Sequence, residues 1–351
     1  MPDNPLDIPN KTPNVSAHLA ETHVRAEIEP DDPKLTFDLL VPKTWAFSSE
    51  LGPVRHMLFH PAGLGFFTAA IDPGAPVIAV TAAPCPFEVP IDTWALLSAA
   101  HEGWTVIASQ WFPGPYGLFF ELTATRVVDE IEHVRRTSVR PGHGAIVAVN
   151  CMCARSYWDA VKETFWAAHV TFALLQKTEP NLEHWLRAHV EQPAFSTVYP
   201  ASWDAEPAEV DGDQRSGLHL RLIDAEGKKL LAYLVVKAER NPFAEPLPLP
   251  ELWNEARRMA EASGVAITSS PRHTSTHDDV RALAVPGWLG GYLADAHWGT
   301  TDIALRVGFV ARGGLIFTLV SCSPKLQDDT LVALRAQRAF EIVRAGLETS
   351  R

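Results

Sequence analysis

The run Ala145-Ile-Val-Ala-Val-Asn-Cys151 follows Gly142 and Gly144, and after a short polar break come Trp158, Val161, Phe165, Ala168, Phe172 and Leu175; this passage decides the reading of the chain. Its first part has the apolar density of a buried strand. The six residues that follow recur at alternating steps of three and four, which lines one face of an α-helix. A second passage repeats the pattern: Leu315-Ile-Phe-Thr-Leu-Val-Ser321 is the strand, and Val332, Ala336, Ala339, Phe340, Val343 and Leu347 form the stripe. Neither a strand nor a one-sided helix buries its apolar surface alone, so each pair predicts helix-on-sheet packing that closes a domain.

Working outward, more of the chain falls into two matched copies. Phe37, Pro42 and Trp45 are reproduced at the same spacing by Phe195, Pro200 and Trp203. Asp92 is placed to cap a helix that runs to about Glu102 and stops at Gly103, and the helix Glu251 to Ser263 stops likewise at Gly264. Leu118 to Val128 and Glu132 to Arg140 read as antiparallel strands. In the second copy, Leu218-His-Leu-Arg-Leu-Ile and Leu230 to Val236 read as a hairpin about Asp224 to Gly227, followed by strands at Val265, Gly290 and Ile303. Several motifs repeated in one order are the mark of a duplication. The expected organisation is a mobile proline-rich arm over 1–34, a first domain over 35–178, a linker over 179–193 holding a short helix Leu182–Val190 capped by Asn181, and a second domain over 194–351.

Composition narrows the function. A chain of 351 residues, 46% of them hydrophobic, is long enough for two cores. A formal charge of -12 and the lack of a basic stripe argue against a nucleic-acid partner. No apolar run reaches the roughly 18 to 20 residues of a membrane span, and no signal-peptide pattern is evident. Four cysteines, Cys85, Cys151, Cys153 and Cys322, are too few for a disulfide framework, so a soluble protein of the reducing cytoplasm is expected.

The repeated order of strand, Pro-x-x-Trp turn, meandering strands, helix, further strands and closing amphipathic helix resembles the PsbP-like fold, over roughly 35–177 and 195–347. That superfamily includes photosystem oxygen-evolving subunits, a nuclear-import release factor and the Eag chaperones of type VI secretion effectors. The resemblance implies an α+β architecture of two tandem PsbP-like α/β/α sandwich domains, each an antiparallel sheet with packed helices and a free concave face used for binding. It implies no catalytic residues. Eag chaperones act as dimers that shield transmembrane segments of an effector, and a tandem protein would supply such a pair as a pseudo-dimer.

The residues themselves offer three candidate sites. Trp111-Phe-Pro-Gly-Pro-Tyr116 is an aromatic stretch that Pro and Gly keep out of regular pairing, with Phe119 just beyond it, and Trp288 and Tyr292 occupy the matching place in the second copy. Large apolar side chains in a loop are either a plug under the sheet or a surface for a partner. Trp111, Phe112, Tyr116, Phe119, Trp288 and Tyr292 are therefore the expected partner-binding residues, taking a hydrophobic or transmembrane segment of a client protein without insertion into a membrane. Cys151 and Cys153 alternate onto one face of a strand near His143, and His273 and His277 stand with Asp278 and Asp279. Either set has metal-ligand chemistry, but neither has a full ligand set at the usual spacing, and buried core cysteines and a polar loop explain them as well. No G-x-S-x-G, Walker or G-x-G-x-x-G motif precedes a helix. The expectation is a non-enzymatic chaperone or adaptor without cofactor or metal. A metal-binding protein or metal-dependent hydrolase, and a structural scaffold subunit, are the alternatives.

Overall fold

Residues 6, 17–49, 62–70, 74–114, 117–176, 181–208, 215–241, 248–274 and 285–349 are described here, from a computed structural model. By contacts the protein divides into two units, Met1–Pro86 with Ile91–Leu182, and Phe87–Pro90 with Glu183–Arg351. Both are α+β.

The first unit runs α1 (Ala17–Thr22), β1 (His23–Ile28), β2 (Phe37–Pro42), β3 (Ala46–Ser48), β4 (Ala62–Thr68), β5 (Val77–Pro84), α2 (Ile91–His101), β6 (Thr105–Gly114), β7 (Gly117–Val128), β8 (Ile131–Gly142), β9 (Ala145–Ala154), α3 (Trp158–Thr171) and β10 (Ala173–Leu174). Its large sheet has the order β3-β4-β5-β9-β8-β7-β6, and β1-β2-β10 form a small second sheet. Every pairing in both is antiparallel. The pleat sends alternate residues of β9 to opposite sides. Val147, Val149, Cys151 and Cys153 enter the core with Trp158, Phe165, Ala168 and Phe172 of the α3 segment and with Phe37, Leu39 and Val41 of β2. Ile146, Ala148, Asn150 and Met152 face α2.

The second unit runs β11 (Trp185–Glu191), β12 (Ala194–Pro200), β13 (Asp204–Ala208), β14 (Arg215–Ile223), β15 (Leu230–Arg240), α4 (Leu249–Ala262), β16 (Val265–Ile267), β17 (Arg272–Thr274), β18 (Trp288–Trp298), β19 (Thr301–Arg312), β20 (Leu315–Ser323), α5 (Thr330–Gly346) and β21 (Glu348–Thr349). Its sheets have the orders β13-β14-β15-β20-β19-β18-β16, with β17 also on β18, and β11-β12-β21. Strand for strand this is the first unit again. The same turn closes β2 and β12, with Trp45 N donating to Pro42 O at 3.1 Å and Trp203 N to Pro200 O at 3.0 Å. Both closing helices put their apolar stripes on the sheet, and α5 is capped by Asp329, whose Oδ1 accepts Val332 N at 3.1 Å.

One difference falls at the edge. β6 is a ten-residue edge strand whose register on β7 shifts once, at Ile107. In the second unit that edge is divided into β16 and β17 by residues 268–271, where Ser269 Oγ accepts Asp295 N.

Two expectations need correction. The segment 1–34 is not all arm: His23–Ile28 pairs antiparallel with Pro42–Phe37, Arg25 Nη2 donates to Asp38 Oδ1 at 2.7 Å, and Leu6 is buried in the core. Pro30 and Pro33 just beyond its end hide the strand character of β1, and pairing with β2 supplies backbone partners that local propensity does not show. The helix Leu182–Val190 is instead the edge strand β11, paired with β12 along its length. Ala188 and Val190 then rest on the second core, which an isolated helix of nine residues would not stabilise.

Candidate functional site

Each unit has a cavity on the sheet face turned away from its closing helix. In the first it measures about 350 Å³ and lies beneath α2, with an apolar wall that includes Val77, Ala79, Trp94, Ala148 and Met152. Small side chains on β5 and β9 leave the space, because a helix packed over alanines does not fill it. One side of this cavity is polar. Thr137 Oγ1 donates to Asn150 Oδ1 at 2.9 Å, and Asn150 Nδ2 to Thr81 Oγ1 at 3.4 Å. Arg135 Nη1 is paired with Glu102, and its guanidinium lies 4.6 Å over the Trp104 ring. Arg126 Nη1 donates to the Glu102 carbonyl at 2.9 Å. Burial, opposed by the Glu102 carboxylate, pulls the Arg135 guanidinium below its ordinary range.

In the second unit a cavity of about 340 Å³ lies beneath α4, with Val235, Ala260, Val265 and Val320 among its walls. Its polar groups are Tyr233, whose hydroxyl is hydrogen-bonded to His219 Nδ1, and Lys237, whose Nζ meets Glu239 and stands 3.4 Å from Met259 Sδ. Burial lowers the His219 imidazole and raises the Tyr233 phenol; it also pushes the Cys322 thiol up to about 12.

The aromatic residues singled out from sequence do not form one loop surface. Trp111 and Phe112 are within β6, paired with Phe120 and Phe119 of β7, so the expected loop is a hairpin arm of the sheet. Phe112 stacks on Phe119 at 5.7 Å and meets Trp166 edge-on at 5.2 Å, while Phe119 is buried. Trp111 leans on Phe120 at 5.4 Å. Tyr116 lies outside the described residues. In the second unit a bulge between Trp288 and Gly290 separates the two candidates onto opposite faces. Trp288 packs on the α5 side, 4.5 Å beneath the Arg344 guanidinium, and Tyr292 packs on the α4 side, 4.9 Å from Trp253.

The metal candidates are also placed. Cys151 and Cys153 are buried in the α3 core, where desolvation lifts Cys151 well above the usual thiol range and Cys153 to about 12. His273 is on β17, opposite Tyr292, rather than in a loop; His277, Asp278 and Asp279 lie outside the described residues. Among the described residues no three His, Cys, Asp or Glu side chains stand together.

A buried polar cluster that the sequence reading missed lies under α3. Arg136 Nη2 donates to Glu121 Oε1 at 2.7 Å, His169 Nδ1 is 2.8 Å from Ser138 Oγ, and Arg140 donates to the carbonyls of Phe172 and His169. Burial raises the Glu121 carboxyl against the pull of Arg136, lowers Arg140 to about 10, and holds His169 well below the usual imidazole range with help from Arg136 and Arg140. Ser138 and His169 are both buried. The signal for both polar groups was Arg135-Arg136 in mid-strand, one charge for each face of the sheet.

Among the described residues no helix is long and apolar enough to cross a membrane. Neither known protein families nor curated proteins give a match to this protein. Among solved structures, cyanobacterial PsbP (CyanoP) from Synechocystis sp. PCC 6803 is similar at 16% identity and a TM-score of 0.34, over 47% of this chain and 97% of that one. LpqN of Mycobacterium tuberculosis, involved in cell envelope biogenesis, is similar at 16% identity and a TM-score of 0.31, over 47% and 98%. The type VI secretion immunity protein TplEi from Pseudomonas aeruginosa is similar at 8% identity and a TM-score of 0.23, over 93% and 97%.

Proposed function

We propose that this protein is a non-catalytic binding protein that acts in the cytoplasm as a chaperone or adaptor, shielding an apolar segment of a secreted protein. The observation that carries the reading is the pair of apolar-walled cavities, one beneath α2 and one beneath α4, at the same place in each repeat. Volumes of 350 and 340 Å³ are at the lower end of the range of about 300–1,000 Å³ seen for ligand pockets, a size for single large apolar groups. Two such anchor points in one molecule strengthen each other through effective concentration. Four cysteines, all free and buried, support a reducing compartment.

The test is protection of a poorly soluble leucine-rich peptide of transmembrane length from aggregation, followed by light scattering. Stoichiometric wild-type protein suppresses scattering. Ala148→Phe and Val320→Trp, which fill one cavity each, weaken the effect singly and abolish it together. Full protection by the double variant overturns the reading.

A further inference from the structure

The two cavities share a fold position but not a chemistry. The β8-β9 and β19-β20 hairpins close with two-residue turns, His143-Gly144 and Gly313-Gly314, so their residues correspond one to one: Val139 opposite Ala148 matches Phe309 opposite Thr318. Counting along, Arg135, Thr137 and Asn150 of the first unit correspond to Leu305, Val307 and Val320 of the second. The second unit buries these three against α4 as ordinary core. This fold therefore closes with apolar residues at all three positions, and packing does not require the polar set that lines the α2 cavity.

Keeping that set is costly. An arginine with 9% of its surface exposed gives up hydration, and the Arg135 Nε has no hydrogen-bond partner among the described residues. Nη1 is satisfied by Glu102, and the guanidinium plane is held on Trp104, which fixes its position beside the cavity. The three charged side chains of the lining, Arg126, Arg135 and Glu102, leave one positive charge in excess, whereas the cation of the α4 cavity, Lys237, faces two carboxylates, Glu239 and, at 3.9 Å, Glu255. Thr137 and Asn150 extend the polar side along β8 and β9, while Trp94, Ala148 and Met152 keep the rest apolar.

We infer that the α2 cavity of the first unit selects an apolar group that carries a carboxylate, the anion meeting Arg135, while the α4 cavity takes uncharged apolar groups. This rests on the binding role proposed above and assigns what one of its two anchor sites recognises. In a protein client the carboxylate comes from the C-terminal residue or from an acidic side chain beside an apolar one; in a free ligand it comes from a short fatty acid.

The experiment is calorimetric titration of the full-length protein with octanoate and, separately, octan-1-ol, for the wild type, Arg135→Leu (the residue of the second unit) and Ala148→Phe. The wild type is expected to bind octanoate at least ten-fold more tightly than octan-1-ol. Arg135→Leu lowers octanoate affinity at least ten-fold and leaves octan-1-ol unchanged, and Ala148→Phe removes octanoate binding. Equal octanoate affinity in the wild type and Arg135→Leu, or octanoate binding that survives Ala148→Phe, overturns the inference; the parent reading stands if octan-1-ol still binds. Failure of both probes to bind the wild type overturns both. If Arg135→Leu loses its cooperative melt, Arg135→Gln, which removes the charge and keeps a polar side chain, is read by the same criterion. A peptide ending in leucine carboxylate and its amide then separate a polypeptide terminus from a side-chain or fatty-acid source.

Discussion

Arg136 and Glu121 meet at 2.7 Å with side chains 0% and 2% exposed, a fully desolvated ion pair between neighbouring strands of the first large sheet. Removing one partner leaves a buried charge without its counter-charge, which costs about 3–5 kcal/mol, whereas replacing both by apolar residues is close to neutral. Glu121→Gln is expected to lower stability by about that amount in chemical denaturation. Glu121→Leu/Arg136→Met recovers most of the loss. A double variant as unstable as the single one would show that neighbours of the pair, not the pair itself, set the cost.

His169 makes stability depend on pH. Burial, with the Arg136 and Arg140 guanidiniums nearby, holds its folded pKa well below 6.5, so as pH falls through 6.5 the unfolded state takes up a proton that the folded state does not. Stability is therefore fully present above about pH 6.5 and is lost below it, by up to about 1.4 kcal/mol per pH unit. Lowered His219 adds a contribution of the same sign. Between pH 7 and 5.5, His169→Leu is expected to show a shallower fall than the wild type in parallel urea titrations. Superimposable slopes would remove His169 from the account.

The thiols are expected to be inert. Cys85, Cys151, Cys153 and Cys322 are all buried; burial lifts Cys153 and Cys322 to about 12 and Cys151 well above the usual thiol range, so these three hold almost no thiolate at pH 8. Ellman's reagent should find none reactive in the native protein and four in guanidinium chloride. Rapid labelling of one native cysteine would contradict the burial described.

Gly287 and Gly308 are closed to side chains for different reasons. At Gly287, with φ +80°, a Cβ would stand 1.9 Å from the Ala311 carbonyl oxygen, so backbone must move. At Gly308 it would stand 2.7 Å from Phe340 and 2.8 Å from Trp288, side chains of the second core. Gly308→Ala is expected to cost about 1–3 kcal/mol, the usual range for overpacking, and Gly287→Ala more. Thermal melts that rank them the other way would place the strain elsewhere.

Much of this architecture could be read from periodicity. The apolar run Ala145 to Cys151, the three-four spacing of both closing helices and the Phe-Pro-Trp register all reappear in the folded protein. β1 and β11 were hidden because edge strands draw their stability from a partner strand rather than from their own composition. Trp288 and Tyr292 part company because the bulge after Trp288 reverses which face a side chain takes, and no residue type announces it. The α2 cavity was invisible for a related reason. Arg135, Thr137 and Asn150 are ordinary strand residues until the sheet shows which face they share.

The long outer strand of the first unit has a consequence for how copies of this protein behave at high concentration. Beyond the register shift at Ile107, Ala108–Gly114 lies at a margin whose outward N–H and C=O groups have no strand beyond them among the described residues, and Ile107 itself is 42% exposed. Such a margin is a template for polymerisation, and the break at residues 268–271 removes most of that template from the second unit. Self-association through strand addition, if it is provoked, starts on the first unit, and a single lysine at Ile107 is the economical guard against it.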